Sequence, residues 1–95
     1  MPAGYRDRII KIIREIIPDP QLKIILYGSR ARGDAHATSD FDIAIDLSEK
    51  IPARFISRIK EKLENSDIPY KVDIVDLNGI SEELKQRIIR EGKLW

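Results

Sequence analysis

The chain has 95 residues, no cysteine, a single histidine and a formal net charge of +1. This length corresponds to one domain with one modest core. The lack of cysteine excludes disulfides and thiolate metal sites, and the nearly balanced charge gives no reason to expect nucleic acid as a partner. No apolar run approaches the ~20 residues that span a bilayer. The sequence therefore predicts a cytoplasmic protein without a membrane segment.

The first half of the chain predicts a helix, a strand and a second, short helix. Tyr5 to Ile17 forms an amphipathic pattern whose isoleucines recur at helical spacing, and the Pro18 to Pro20 segment ends it. Leu22 to Tyr27 is an apolar run without alternation, as in a strand covered on both faces. Gly28 permits a tight turn into a short helix over Ser29 to Arg32.

The second half continues the alternation of helices and strands. After a polar loop from Gly33 to Thr38, a strand is predicted from Phe41 to Asp46, a helix from Pro52 to Asn65, a strand from Lys71 to Leu77, and a helix from Ser81 to Gly92. The order α-β-α-β-α-β-α predicts a small α/β (α+β) domain over residues 1–95. Its mixed sheet has three strands or slightly more, and helices pack against it. The inward-facing residues of the last helix are predicted to be Leu84, Ile88 and Ile89.

Three acidic residues lie where apolar strands are expected. Asp40 and Asp42 are two apart and project from the same face of an extended strand. Strands are depleted in aspartate, yet Asp42 and Asp73 each lie between two apolar residues. If the third strand lies beside the second, the three carboxylates converge and repel one another unless a cation lies between them. The pattern matches a two-metal site for phosphoryl transfer.

The Gly28-Ser29 turn predicts an anion site, because free backbone N–H groups and a helix N-terminus favour negative charge. Two roles stay open for Arg32, which either neutralises phosphate charge or pins the loop through backbone carbonyls. Arg30 is expected to be exposed.

The remaining polar residues of interest have ordinary structural interpretations. Asp46 and Asp76 are expected to be solvated residues at strand edges, and His36 a surface residue of the polar loop. For the C-terminal Leu94-Trp95, docking to a partner and folding back onto the core are both open.

These motifs occur together in a known order. Gly28 to Gly33 (GSRARG), Ser39 to Ile45 (SDFDIAI) and Val72 to Val75 (VDIV) resemble the motifs of the polymerase β-like nucleotidyltransferase superfamily. The length resembles that of its minimal nucleotidyltransferase (MNT) group.

The resemblance implies a set of site residues. It assigns two Mg²⁺ ions, with Mn²⁺ as an alternative, to the carboxylates of Asp40, Asp42 and Asp73. On the same resemblance Asp73 also helps to activate the acceptor hydroxyl, Gly28 and Ser29 hold the β- and γ-phosphates of ATP, and Arg32 is the arginine of that loop.

Minimal members are commonly paired with a helical HEPN-domain toxin. The resemblance therefore implies an ATP-binding antitoxin that transfers AMP to a tyrosine of a HEPN toxin (AMPylation). Two alternatives remain: a non-catalytic module that neutralises its partner by occlusion, and a transferase acting on a small molecule or an RNA end. The sequence leaves the oligomeric state open, including a homo-oligomer.

Overall fold

A computed structural model describes residues 4–33 and 40–95. The elements in chain order are α1 (Gly4–Ile16), β1 (Lys23–Tyr27), α2 (Ser29–Arg32), β2 (Phe41–Asp46), α3 (Ala53–Glu64), β3 (Val72–Asp76), α4 (Glu82–Glu91) and β4 (Lys93–Leu94). The predicted alternation is confirmed, and β4 is an additional short strand. His36 and Ser39 lie outside the described residues, as does most of the predicted polar loop. Within the described ranges, no helix is long and apolar enough to cross a membrane.

The four strands form one mixed sheet in the order β3-β2-β1-β4. β1 is antiparallel to both β2 and β4, whereas β2 and β3 are parallel. A parallel pair needs a crossover connection, which α3 provides. The amino ends of β2 and β3 therefore lie at the same edge of the sheet as the carboxyl end of β1. The segments that carry Gly28, Asp42 and Asp73 meet at this edge.

The two faces of the sheet are covered unequally. One face packs on α1 and α3 and holds the larger core cluster, and the other carries a smaller cluster of Ala44, Leu77 and Ile88 beneath α4. Burial of each large aliphatic side chain contributes roughly 1.5–3 kcal/mol. The largest fully buried side chains are all isoleucines: Ile9, Ile13, Ile24, Ile43, Ile45, Ile59, Ile74 and Ile88. The smaller cluster covers only part of its face and leaves the edge near Asp42 and Asp73 accessible.

The last helix begins as predicted, because Ser81 Oγ accepts a hydrogen bond from the Leu84 backbone N–H at 3.2 Å. The prediction that Ile89 faces inward is wrong: its exposure is 54%, against 1% for Ile88. Consecutive helical side chains point about 100° apart. The narrow contact of α4 with the sheet covers the stripe of Leu84 and Ile88 and leaves Ile89 outside it.

The C-terminus folds back onto the sheet. Gly92 fits tightly, because a Cβ there would meet Ile25 Cγ2 and the Ile88 carbonyl at 2.5 Å. The chain then pairs with β1, and the Trp95 backbone N–H donates to the Ile24 carbonyl at 2.8 Å. The Trp95 ring packs edge-on against Phe41 with centroids 6.0 Å apart. Trp95 thus folds back onto the core, whereas the Leu94 side chain is 68% exposed.

The expectation of a solvated edge position is wrong for Asp76. Its carboxylate is buried, with Oδ2 accepting from the Ile51 N–H at 2.7 Å and Oδ1 from the Asn78 N–H at 3.0 Å. The chain entering α3 brings the Ile51 donor over this residue, which strand periodicity alone does not reveal. Asp46 is half-buried and accepts from Ser48 and Asn78, each at 2.7 Å. Both residues lie at the opposite end of their strands from Asp42 and Asp73.

Candidate active site

Three polar side chains, those of Tyr27, Asp42 and Asp73, form a row across the sheet where β1 ends and β2 and β3 begin. Tyr27 of β1 is the register partner of Asp42 in β2, and Asp42 is the partner of Asp73 in β3. Such partners lie roughly 4.5–5.5 Å apart and share a face, here the face beneath α4. Asp40 is exposed just before β2, close enough for its charge to act on Asp42. The structure thus brings Asp40, Asp42 and Asp73 into one electrostatic neighbourhood.

The surroundings of Asp42 shift the pKa of its carboxyl. Burial raises the pKa of its carboxyl above the ordinary value of 3.8, and the charges of Asp73 and Asp40 raise it further. Arg32 and Lys71 act in the opposite sense without reversing the shift. The ionised form of Asp42 is therefore disfavoured, and a cation at this point would stabilise it.

Tyr27 was not among the site residues predicted from the sequence. Burial, followed by the charges of Asp42 and Asp73, raises the pKa of its phenol to about 12, although Arg87 lowers it. The phenol is therefore protonated at neutral pH and is able to donate a hydrogen bond. Its position immediately before Gly28 could have indicated a site residue. Its contact with the acids, however, depends on the pairing of β1 with β2, which makes it a neighbour of Asp42.

The turn between β1 and α2 lies directly against Asp42. Gly28 has φ 76° and ψ −155°, a combination that is essentially restricted to glycine. A Cβ at Gly28 would lie far inside van der Waals contact with the Asp42 carboxylate. Glycine is thus required both for the backbone conformation and for the approach of the acid. The Gly28 carbonyl accepts from the N–H groups of Ala31 and Arg32, both at 3.1 Å, which begins α2 and places Ser29 in its first turn.

The two arginines of α2 have different surroundings. The prediction that Arg30 is exposed is wrong: it is half-buried, with its guanidinium 4.0 Å from the Phe41 ring centroid and 5.0 Å from that of Tyr70. This cation–π contact attaches α2 to the core. Arg32 points instead towards α4, where its Nη1 lies 3.3 Å from Glu91 Oε1.

Two residues of α4 add further charges near the site. Glu91 Oε1 also lies 3.6 Å from Nε of Arg87, whose charge acts on Tyr27. Sequence reasoning missed both residues. Their spacing of four on a helix marks them as neighbours, but the ion pair of Glu91 with Arg32, which places them near the site, is a tertiary contact that the sequence does not reveal.

A cavity of about 470 Å³ opens beside Asp73, between α3 and β3. Its volume lies in the range of ligand-binding pockets. The charged and aromatic residues of its lining are Lys60, Glu64, Tyr70, Lys71 and Asp73.

The chemistry of the donors fits hard divalent cations, because carboxylate oxygens are their preferred ligands and the negative charge of Asp73 disfavours the ionised form of Asp42. In the arrangement of the described side chains, however, no three acidic or histidine groups are gathered closely enough to hold a metal ion. Asp42 and Asp73 are adjacent through their strands, and Asp40 lies outside the sheet.

The fold and the row of acids beside a Gly-Ser turn define a small nucleotidyltransferase domain. The sequence matches the family described as "Polymerase beta, Nucleotidyltransferase" over residues 8–95. The chain belongs to this family.

Within this family, the sequence is similar to that of a named protein adenylyltransferase. The chain is 37% identical over 90 residues to the protein adenylyltransferase MntA of Shewanella oneidensis. This match covers 94% of the chain and 63% of that protein, so the chain spans somewhat less than two thirds of the relative's length.

The fold is also similar to chains in solved structures of toxin–antitoxin complexes. A chain of a toxin–antitoxin crystal structure with AMP-PNP superposes with a TM-score of 0.76 at 34% identity, covering 94% of this chain and 71% of that one. A chain from the complex of a tri-AMPylated Shewanella oneidensis HEPN toxin with its MNT antitoxin gives a TM-score of 0.69 at 31% identity, with 94% and 67% covered. The predicted fold and family are thereby confirmed.

We expect Gly28→Ala to destabilise the fold through Asp42. Gly33, at φ 84° with no atom of the described residues near its Cβ position, is the matched control, and Gly33→Ala should lose only the roughly 1–2 kcal/mol of left-handed backbone strain. Gly28→Ala should lose more, and part of the excess should disappear in an Asp42→Ala background, as measured by urea unfolding in a double-mutant cycle. A loss that is the same in both backgrounds would contradict the contact.

The opposite pKa shifts of Asp42 and Asp46 predict opposite effects of amide substitution. A raised pKa means that the folded state loses stability, relative to Asp42→Asn, as the pH rises from 3.8 through the folded pKa. Asp42→Asn should therefore be more stable than the wild type at pH 7 in EDTA.

For Asp46, burial alone would raise the pKa, but the Ser48 N–H, Asn78 and two lysines lower it overall. Asp46→Asn should accordingly be less stable than the wild type at pH 7, and the difference should vanish as the pH falls through the folded pKa. Urea unfolding of the wild type and both variants, from acidic pH to pH 7, measures the two differences in stability. A destabilised Asp42→Asn at pH 7 would show that the acid is already neutralised within the protein.

Proposed function

We propose that this chain transfers AMP from ATP to a hydroxyl group of a partner protein, a tyrosine of a HEPN toxin, and so acts as an antitoxin. The observation that carries the proposal is the pairing of Asp42 with Asp73 beside the Gly28 turn. The names of the similar proteins, a protein adenylyltransferase and an MNT antitoxin bound to an AMPylated HEPN toxin, support it.

The proposed metal ligands are the carboxylates of Asp40, Asp42 and Asp73, which would hold two Mg²⁺ ions or Mn²⁺ in their place. When bound, these ions would neutralise the charge of the triphosphate and of the leaving pyrophosphate. Support comes from the raised pKa of Asp42, whose neighbours Asp73 and Asp40 add negative charge. Asp40 would have to turn towards the pair, since no three such groups are gathered among the described residues.

The proposed triphosphate site lies on the β1 side of the acids. Gly28 and Ser29 would hold the β- and γ-phosphates with backbone N–H groups and the Ser29 hydroxyl. Arg32 would contribute its charge from α2, because it already acts on Asp42 across the same space. These residues would position ATP with its α-phosphate above Asp42.

The acceptor would approach from the other side, past β3. In the proposed reaction the hydroxyl oxygen attacks the α-phosphorus, the bond from that phosphorus to the bridging oxygen breaks, and pyrophosphate leaves on the side of Gly28. Asp73, which lines the cavity beside β3, would take the hydroxyl proton. Attack and departure on opposite sides satisfy in-line displacement.

Neutralisation by occlusion is the second candidate. It is favoured by the described arrangement of side chains, which gathers no three metal-holding groups, and by a structural neighbour that is a complex of a toxin with an antitoxin. In this case the chain would bind its partner without modifying it.

Incubation with a HEPN-domain protein of the same genome, ATP and Mg²⁺ tests both candidates. We expect a mass increase of the partner equal to AMP, and a rate at least about a hundredfold lower for Asp42→Asn, the scale seen when one transition-state contact is removed. Asp46→Asn, on the same strand and face but at its far end, should modify the partner at close to the wild-type rate.

A partner that is neutralised without any change in mass would establish occlusion. Equal modification by the wild type and Asp42→Asn would refute the proposed site.

A further inference from the structure

Two guanidinium groups converge on a single oxygen atom beside the row of acids. Glu91 Oε1 lies 3.3 Å from Nη1 of Arg32 and 3.6 Å from Nε of Arg87. Arg32 comes from α2, next to the Gly28-Ser29 turn, whereas Arg87 and Glu91 come from α4. One anionic oxygen is therefore shared by cations from two separate elements.

This ion-pair cluster adds little to the stability of the fold. The side chains are 40% (Arg32), 57% (Arg87) and 30% (Glu91) exposed, and exposed pairs contribute about 0–1 kcal/mol. The order of charges along α4 is also poor, because an acid four residues after a base is the weaker arrangement. Glu91 is moreover the last residue of α4, where the helix dipole disfavours negative charge.

Both arginines lie near enough to the row of acids to act on it electrostatically. The charge of Arg32 acts on Asp42, and that of Arg87 acts on Tyr27. Arg32 follows the Gly28-Ser29 turn at the end of β1, and Arg87 shares the Glu91 oxygen with it. The two cations therefore lie beside this turn, where the proposed function puts the phosphates. Guanidinium groups bind phosphate oxygens as readily as carboxylate oxygens.

We propose that Arg32 and Arg87 form an oxyanion subsite for the polyphosphate of the nucleotide, and that Glu91 Oε1 occupies this subsite until a phosphate oxygen replaces it. The inference rests on the proposed function and adds to it Arg87 as a phosphate-binding residue and Glu91 as an internal competitor. Two cations favour a ligand with several negative charges, so the subsite would distinguish ATP from AMP.

Calorimetric titration of the full chain with Mg²⁺ and AMP-PNP tests the role of Arg87. Arg87→Gln should weaken binding about tenfold, the effect of one charge-assisted hydrogen bond, and should weaken tripolyphosphate binding similarly while leaving AMP binding unchanged. Arg90→Gln removes the same charge from the same exposed turn of α4 and should bind all three ligands as the wild type does. Equal affinities for Arg87→Gln and Arg90→Gln would overturn the subsite.

Glu91→Gln tests the competition. It removes the internal anion and should tighten AMP-PNP binding roughly two- to fivefold, a gain that should be absent from Glu83→Gln and lost when Arg87→Gln is added. Weaker binding by Glu91→Gln would contradict displacement, because it would mean that Glu91 holds the arginines in place for the nucleotide.

Failure of the subsite is distinguishable from failure of the proposed function. If Asp42→Asn and Ser29→Ala weaken AMP-PNP binding but Arg87→Gln does not, the inference alone is wrong. If none of the three variants changes binding, the proposed function is wrong as well.

Discussion

The parallel pairing of β2 with β3 is the constraint on which the site depends. It sets Asp42 beside Asp73, and the buried isoleucines Ile43 and Ile74, also register partners, fix that pairing from the core face. A slip of one residue would turn Asp73 into the core and bring Ile74 to the surface, at the cost of burying a charge. The hydrophobic core therefore determines which acids are neighbours.

The region around the acids lowers the stability of the fold, and burial in the hydrophobic core compensates for this. Asp42 is held near like charges, and Gly28 adopts a backbone conformation that other residues avoid. The contact of Arg30 with Phe41 and Tyr70 attaches the strained turn to the aromatic cluster. Strain at one edge of the sheet is thus tolerated because the opposite face carries nearly all of the apolar burial.

Much of the fold could be predicted because periodicity and caps are local signals. The isoleucine spacing of α1 and the Ser81 cap are examples. Asp42 and Asp73 could be predicted as site residues because aspartate is unusual in the middle of an apolar strand. What could not be predicted depends on tertiary packing. Asp76 is covered by Ile51, whose N–H donor lies 25 positions away in sequence. Arg87 and Glu91 are placed near the site by the ion pair of Glu91 with Arg32 of α2.

Selective NMR line broadening by Mn²⁺ in the presence of AMP-PNP tests most directly whether a metal–nucleotide complex lies at the row of acids. We expect the backbone amide signals of Ser29, Asp42 and Asp73 to broaden first. Those of Asp46 and Asp76, roughly 10–13 Å further along the same strands, should stay sharper, and Asp42→Asn should remove the difference. Broadening that begins at the Asp46 and Asp76 end, or that spreads evenly over the sheet, would show that the metal binds elsewhere.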